Sequence, residues 1–537
     1  MDLIEVTLGL LLVVAVVAAL GKWIGAPLPL LLVAGGVCLS FLPGFRSLSI
    51  APDIFFLLFI PPLLFADAWL IPKRDLLKVM RPVLLLAFGL VFLTVLVVGY
   101  LMHWLVPELP LAAAFALGAV ISPTDAVAVR AVTSKLAIPS RVSTIIDGES
   151  LINDASGLIA FKFAIAAAMT GAFSWSSAAL QFLVSSGGGF VLGLAIAWTI
   201  GQARVGLRRF CADDPTIQTV ISLLTPYAAY LAAEALGVGT ILAVVGAGLY
   251  AGAHDLRNLD AATRAHSWEV WRMVLFAFNG LVFVLLGVEL HSIVGALSRS
   301  SALELAGYAL VLSAIVIVSR LLWVFPAAYL PLLLSRRIRE REGVHSPRAV
   351  FLTGWAGIRG SITLAAALSI PFVTSTGAPF PGRELIILLA ASVIIVTLLV
   401  NGMTLPLFIR WLDIRGDSIA EREERAARIA TAQAAIESLR RRLPRLTTSE
   451  ETAFANSLLG QYEQRMQRYS ANADRRSRLD AQHASERRIW LAAIDAERAE
   501  LMQMRETDVI NDEVLRRLQV DLDLEETRIT GSARNAI

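Results

Sequence analysis

Residues 111–130 read LAAAFALGAVISPTDAVAVR, an apolar run interrupted by Ser122, Pro123, Thr124 and Asp125. A helix needs about 20 mainly apolar residues to cross a bilayer, so the run is long enough to span one. Pro123 removes a helix donor and frees nearby carbonyls, and the helix should unwind beside it. Asp125 would cost about 2.5 kcal/mol or more at membrane depth if left unpaired, which marks it as functional. The stretch predicts a membrane helix broken part-way, with oxygen atoms presented at the break.

The rest of the chain agrees. Of 537 residues 56% are hydrophobic, and the mean hydropathy is +0.67, too apolar for a soluble globule of this length. About thirteen apolar stretches precede residue 415, near 4–22, 27–43, 52–71, 82–106, 110–134, 141–170, 176–202, 215–236, 238–253, 266–290, 303–334, 348–373 and 384–412. A very short turn at Gly237 and Gly239 separates the eighth from the ninth. Basic residues gather after the odd-numbered stretches: Lys73, Arg74, Lys78 and Arg81, then Lys135 and Arg141, then Arg204, Arg208 and Arg209. Arg257 and Arg264 continue the pattern, followed by Arg336, Arg337, Arg339, Arg341 and Arg348, whereas even-numbered exits carry isolated charges such as Arg46, Arg299 and Arg383. Lys and Arg accumulate in cytoplasmic loops, so the N-terminus is expected outside and the C-terminus in the cytoplasm of a multi-pass inner (plasma) membrane protein.

The net charge of +3 is distributed in those loops, and nucleic acid is not implied as a partner. Cys38 and Cys211 form no metal-ligand pattern, and no disulfide, zinc site or cofactor is expected. The first apolar run follows Asp2 and Glu5 rather than a basic region, which favours an uncleaved span over a signal peptide. From about Arg415 the composition turns to Glu, Arg, Ala, Gln and Asp, dividing a transmembrane domain, 1–414, from a helical cytoplasmic tail, 415–537. Residues 420–443 read as an amphipathic helix ended by Pro444, and the tail as a solvated helical region pairing with itself or a partner subunit, or as a regulatory ligand domain.

The sixth stretch contains Asp147-Gly148-Glu149-Ser150-Leu151-Ile152-Asn153-Asp154. Glu149 and Asn153, and Ser150 and Asp154, are each four apart and share one helical face. With Thr124 and Asp125 this face offers carboxylate, amide, hydroxyl and carbonyl oxygens, the ligands that hard cations prefer. The alternative for Thr124, Ser150 and Asn153 is that they hydrogen-bond one another to fasten two helices. Arg320 lies near the middle of the run 303–334, too deep to snorkel easily, and needs a buried anion.

These residues resemble the monovalent cation:proton antiporter family, which includes bacterial sodium/proton antiporters and animal sodium/proton exchangers. The resemblance covers residues 1–412 and is densest from Asp125 to Phe161, where Gly148 to Asp154 is similar to the family signature. Phe55 to Pro62, Asn279 to Phe283 and Gly357-Ile358-Arg359-Gly360 resemble the family's motifs on spans three, ten and twelve. The resemblance implies an all-α polytopic fold with inverted repeats, crossed broken helices on spans five and twelve, and a homodimer in the lipid bilayer. It implies that Asp154 alternately binds cation and proton, that Thr124, Asp125 and Ser150 line the sodium site, and that Glu149 is the partner of Arg320. That ion pair would be structural, leaving Asp154 as the titrating group.

Arg359, between Gly357 and Gly360, is expected beside a broken helix, offsetting carbonyl dipoles. Lys162 reads as a snorkelling or pairing lysine, although its spacing would also let it face the side of Asp154; Asp67 and Glu234 suggest no mechanism. The expected activity is exchange of sodium, with potassium or lithium as possible further substrates, for protons. Asn153 stands where an electrogenic antiporter would carry a second aspartate, and exchange is expected to be electroneutral. A potassium/proton antiporter uses the same oxygen set and stays open. A channel would need a ring of filter residues, and an intramembrane serine hydrolase built on Ser150 would need a nearby histidine base.

Overall fold

The computed structural model describes residues 3–24, 27–42, 45, 52–133, 136, 138–170, 175–210, 214–296, 302–343, 346–375, 377–414, 418–470 and 473–534. Arg46, Lys135, Cys211, Arg299, His345 and Arg415 lie outside the described residues. Among the described residues the chain is helical, apart from one isolated bridge between Val373 and Pro379. It divides into two compact units, Met1–Asp417 and Ser418–Ile537.

The first unit opens with α1 (Leu3–Ile24), α2 (Leu28–Ser40), α3 (Pro52–Leu70), α4 (Lys73–Lys78) and α5 (Met80–Leu105). The run quoted above forms two helices, α6 (Leu111–Ile121) and α7 (Ala126–Thr133), followed by α8 (Ser140–Thr170). Next come α9 (Trp175–Phe210), α10 (Pro215–Ala235), α11 (Thr240–Asn258), α12 (Ala261–Ala296), α13 (Ala302–Leu334) and the short α14 (Arg336–Glu342). A second interrupted pair, α15 (Pro347–Trp355) and α16 (Ser361–Leu368), precedes α17 (Arg383–Trp411).

Helices thus occupy each apolar stretch of the sequence, and among the described residues seven spans, the α6–α7 pair counted as one, are long and apolar enough to cross a membrane by length and composition. Three run well past the expected ends: α9 reaches Phe210 rather than 202, α11 reaches Asn258 rather than 253, and α12 begins at Ala261 rather than 266. The apolar window stops at the first charges, whereas Arg, Gln and Ala continue a helix readily.

Close backbone approach sets the packing that frames the site. A Cβ on Gly36 of α2 would stand 2.1 Å from the carbonyl oxygen of Val284, and one on Gly287 of α12 would stand 2.1 Å from that of Val33. Small residues let membrane helices meet this closely. In α5, residues Leu85–Leu90 form a π turn whose carbonyls serve its neighbours. Ala87 accepts from Ser156 Oγ of α8 (2.6 Å), and Leu85 from Trp323 Nε1 of α13 (3.0 Å). At the basic end Glu342 of α14 accepts two hydrogen bonds from Arg81 (2.9 and 2.8 Å) and one from Arg141 (3.1 Å). Burial pushes the Glu342 carboxyl up, but the Arg81 hydrogen bond and the two guanidinium charges outweigh it and hold the group below its ordinary value.

The second unit holds α18 (Ser418–Arg442), α19 (Ser449–Ser470), α20 (Ala473–Glu506) and α21 (Asp512–Arg534). Pro444 lies in the short 3-10 turn that ends α18. Helix α18 packs on α19 and α20 on α21, burying Ala432, Ile436, Ala455, Ile494, Leu515 and Leu522.

Candidate functional site

The two helix breaks meet. After Ile121 the chain leaves helical geometry until Ala126, and after Trp355 until Ser361. The Asp125 N–H donates to the Ile358 carbonyl (2.8 Å), so each break supplies a backbone partner to the other. Asp125 Oδ1 accepts from the N–H groups of Val127 (2.8 Å) and Ala128 (3.1 Å), capping α7. Its Oδ2 packs against Gly360, where a Cβ would stand 1.7 Å away. Ser361 Oγ, at the start of α16, donates to Asn279 Oδ1 of α12 (2.7 Å).

Arg359 is fully buried and spans both breaks. It donates from Nε to the Ile121 carbonyl (3.0 Å) and from Nη1 to the Gly357 carbonyl (2.6 Å). A cation at the exposed carbonyl end of α6 offsets the dipole of that half-helix. The carbonyls left over at this helix break therefore already have protein donors: Ile121 serves Arg359, and the Thr124 carbonyl accepts from Ser150 Oγ (2.7 Å). Sequence reasoning expected the unwinding and not who would use the oxygens.

Helix α8 brings its polar face to the same place. Thr124 Oγ1 accepts from Asn153 Nδ2 (2.8 Å) and donates to Glu149 Oε1 (3.3 Å), while Ser150 Oγ accepts from the Ala126 N–H (3.3 Å). Both carboxylate oxygens of Glu149 meet the Arg320 guanidinium, one of them at 2.8 Å, with both side chains buried. Arg320 also donates to the carbonyls of Gly354 (2.9 Å) and Thr353 (3.1 Å), near the C-terminal end of α15. Glu149 is thereby matched by a bidentate partner, the geometry that best repays desolvation. Asn153 Oδ1 is buried with no hydrogen-bond partner.

Asp154, only 3% exposed, lies one turn beyond Ser150 on the wall of a cavity of about 310 Å³. Pro123, Thr124, Asp125 and Ser150 line the same cavity, as does Asp67 of α3. The carboxylates of Asp67, Asp125 and Asp154 and the hydroxyl residues Thr124, Ser150, Ser361 and Thr363 thus share one cavity wall, a set of oxygen groups of the kind hard cations prefer.

Residues 10–411 match the family described as sodium/hydrogen exchanger, transmembrane. The chain belongs to the sodium/hydrogen exchanger family. Its relatives include the sodium, potassium, lithium and rubidium/H+ antiporter of Bacillus pumilus, 36% identical over 528 residues, covering 96% of this chain and 77% of that one. The Escherichia coli Na+/H+ exchanger YjcE is 37% identical over 512 residues, covering 93% of each. The solved sodium proton antiporter MjNhaP1 of Methanocaldococcus jannaschii superposes with a TM-score of 0.59 at 20% identity, covering 75% of this chain and 97% of that one, and shares its fold.

Within this exchanger, Asp67 is the cavity residue that sequence reasoning left without a role; its signal was a carboxylate in an apolar helix. Lys162 does not line this cavity: its ammonium donates to Thr240 Oγ1 (3.1 Å) and lies over the Phe56 ring at 5.4 Å. Glu234 is exposed near the end of α10 and takes no part in the cavity wall. Among the described residues no histidine lines it either, and Ser150 Oγ engages backbone groups.

Proposed function

We propose that this protein is a secondary antiporter that exchanges sodium for protons, with cation and proton competing for Asp154. The observation that carries the reading is the division of labour on α8. Glu149 is neutralised by Arg320, while Asp154, one turn along, faces the cavity beside Asp125, Thr124 and Ser150. A buried carboxylate with a fixed countercharge cannot exchange ligands, and one facing a cavity can. Asp154 supplies the exchangeable charge, Asp125, Thr124 and Ser150 supply oxygens, and Asn153, expected as a ligand but absent from the cavity wall, positions Thr124 through its amide. Pro123 and Arg359 keep the broken helices open and their dipoles balanced.

The Bacillus pumilus relative's name covers sodium, potassium, lithium and rubidium, which supports a site that accepts several monovalent cations and keeps potassium/proton exchange as the second reading. The chain is proposed to cross the bacterial plasma membrane thirteen times, counting each broken pair once, with its N-terminus outside and the helical unit from Ser418 onward in the cytoplasm. The paired breaks at Asp125 and Arg359 support inverted repeats, and a homodimer is the proposed assembly.

Reconstituted proteoliposomes test this directly. Adding sodium to one side should drive proton movement in the opposite direction, and Asp154→Asn should abolish it in folded, inserted protein, because an amide neither titrates nor carries charge. Retained sodium-driven proton flux in Asp154→Asn would remove Asp154 from the mechanism.

A further inference from the structure

The cavity that reaches Asp154 carries one basic side chain among its described lining residues. Arg272 of α12 shares the wall with Asp67, Asp125 and Asp154. Its side chain is 71% exposed and pairs with Glu269, 68% exposed, three residues earlier on the same helix. Arg272 thus stands at the exposed rim of the cavity while the aspartates are more buried. Seven residues along α12 from Arg272 is Asn279, which accepts from Ser361 beside the break; at 1.5 Å per residue that is about 10 Å. A fixed positive charge at the mouth of a cation chamber opposes what the aspartates do.

We propose that Arg272 is an affinity-setting residue: its charge, partly masked by Glu269, lowers the cation occupancy of the Asp154 chamber at a given cation concentration. This inference rests on the antiport reading above. A unit charge on the order of 10 Å from a bound cation, about the rise that separates Arg272 from the cavity residue Asn279, changes binding by a factor of about two to five, less where salt screens it. A remote point charge cannot distinguish ions of equal charge, so lithium, sodium and potassium should all be affected by the same factor. Protons gain by that factor too. The charged groups that face Arg272 across the cavity are Asp67, Asp125 and Asp154, with Glu269 on its own helix. The fall in KM should therefore be full at alkaline pH, where protons do not compete, and shrink at acid pH, where they do.

The experiment measures exchange by the full-length protein in proteoliposomes at alkaline pH and low ionic strength. Arg272→Gln should lower KM about two- to five-fold for each of the three cations, with the effect on KM rather than on the maximal rate. Glu269→Gln should raise KM, Arg272→Lys should match wild type, and all differences should shrink when a choline salt raises the ionic strength. An unchanged KM in Arg272→Gln, or a change that differs from ion to ion, overturns the proposal. If wild type itself shows no sodium-driven proton flux, the antiport reading fails instead, so the two failures are distinguishable.

Discussion

At the residue scale the buried Glu149–Arg320 pair decides which carboxylate can work. Arg320 answers Glu149 with two donors and spends its remaining groups on the Gly354 and Thr353 carbonyls. Glu149→Gln leaves a buried guanidinium without its anion, at a cost of about 3–5 kcal/mol. The expected result is a clear drop in thermal stability and membrane yield. A double variant, Glu149→Gln with Arg320→Met, should recover much of that loss, because replacing both partners strands neither charge. Melting curves of the purified proteins check this; a double variant as unstable as the single one would mean that the pair's value lies in its carbonyl contacts.

At the element scale the crossing of α6–α7 with α15–α16 depends on Gly360. Any side chain there would place a Cβ 2.4 Å from Asp125 Cβ and nearer still to its carboxylate, and the Asp125–Ile358 hydrogen bond holds the two backbones together. Gly360→Ala should therefore push Asp125 out of position and reduce turnover at least about ten-fold, the size expected of small displacements at a reacting centre. Sodium-driven proton flux at matched protein levels checks it. Helix α14 gives a pH prediction of definite sign. Since Glu342 is held below its ordinary value of 4.5, its tie to Arg81 and Arg141 is fully present above about that pH and is lost as pH falls through the lower folded value. Amide protection in α14, measured relative to the intrinsic exchange rate at each pH, should be high at neutral pH and fall only under acid conditions, and Glu342→Gln should show the low protection at every pH.

At the scale of the whole molecule the charge count sets the stoichiometry. On the proposed reading, with Glu149 fixed by Arg320 and Asp154 alternating between one cation and one proton, exchange is expected to be electroneutral. Low pH should then raise the KM for sodium without lowering the maximal rate at saturating sodium. Clamping the membrane potential with potassium and valinomycin, or with another ion pair if potassium is transported, should leave the rate unchanged. A steep dependence on potential would bring a second titrating group, Asp125 or Asp67, into the cycle.

How much of this was legible beforehand follows from what is local in the chain. Pro123 removes a helix donor next to the polar residues Ser122, Thr124 and Asp125, whereas Pro61, Pro62 and Pro226 stay inside unbroken helices. Four-residue spacing puts Glu149, Ser150, Asn153 and Asp154 on one face, and an arginine in the middle of an apolar run demands an anion. Those features depend on covalent geometry and helical period, so the sequence alone determined the helices, the first break and the polar face of α8. The tertiary structure alone decided that Ile358 pairs with Asp125, that Arg359 takes the Ile121 carbonyl, that Asp67 joins the cavity wall and that Glu342 ties Arg81 to Arg141. These partners stand tens to hundreds of residues apart, no periodicity links them, and each contact exists only because packed helices bring distant side chains together where buried polar groups must find a partner.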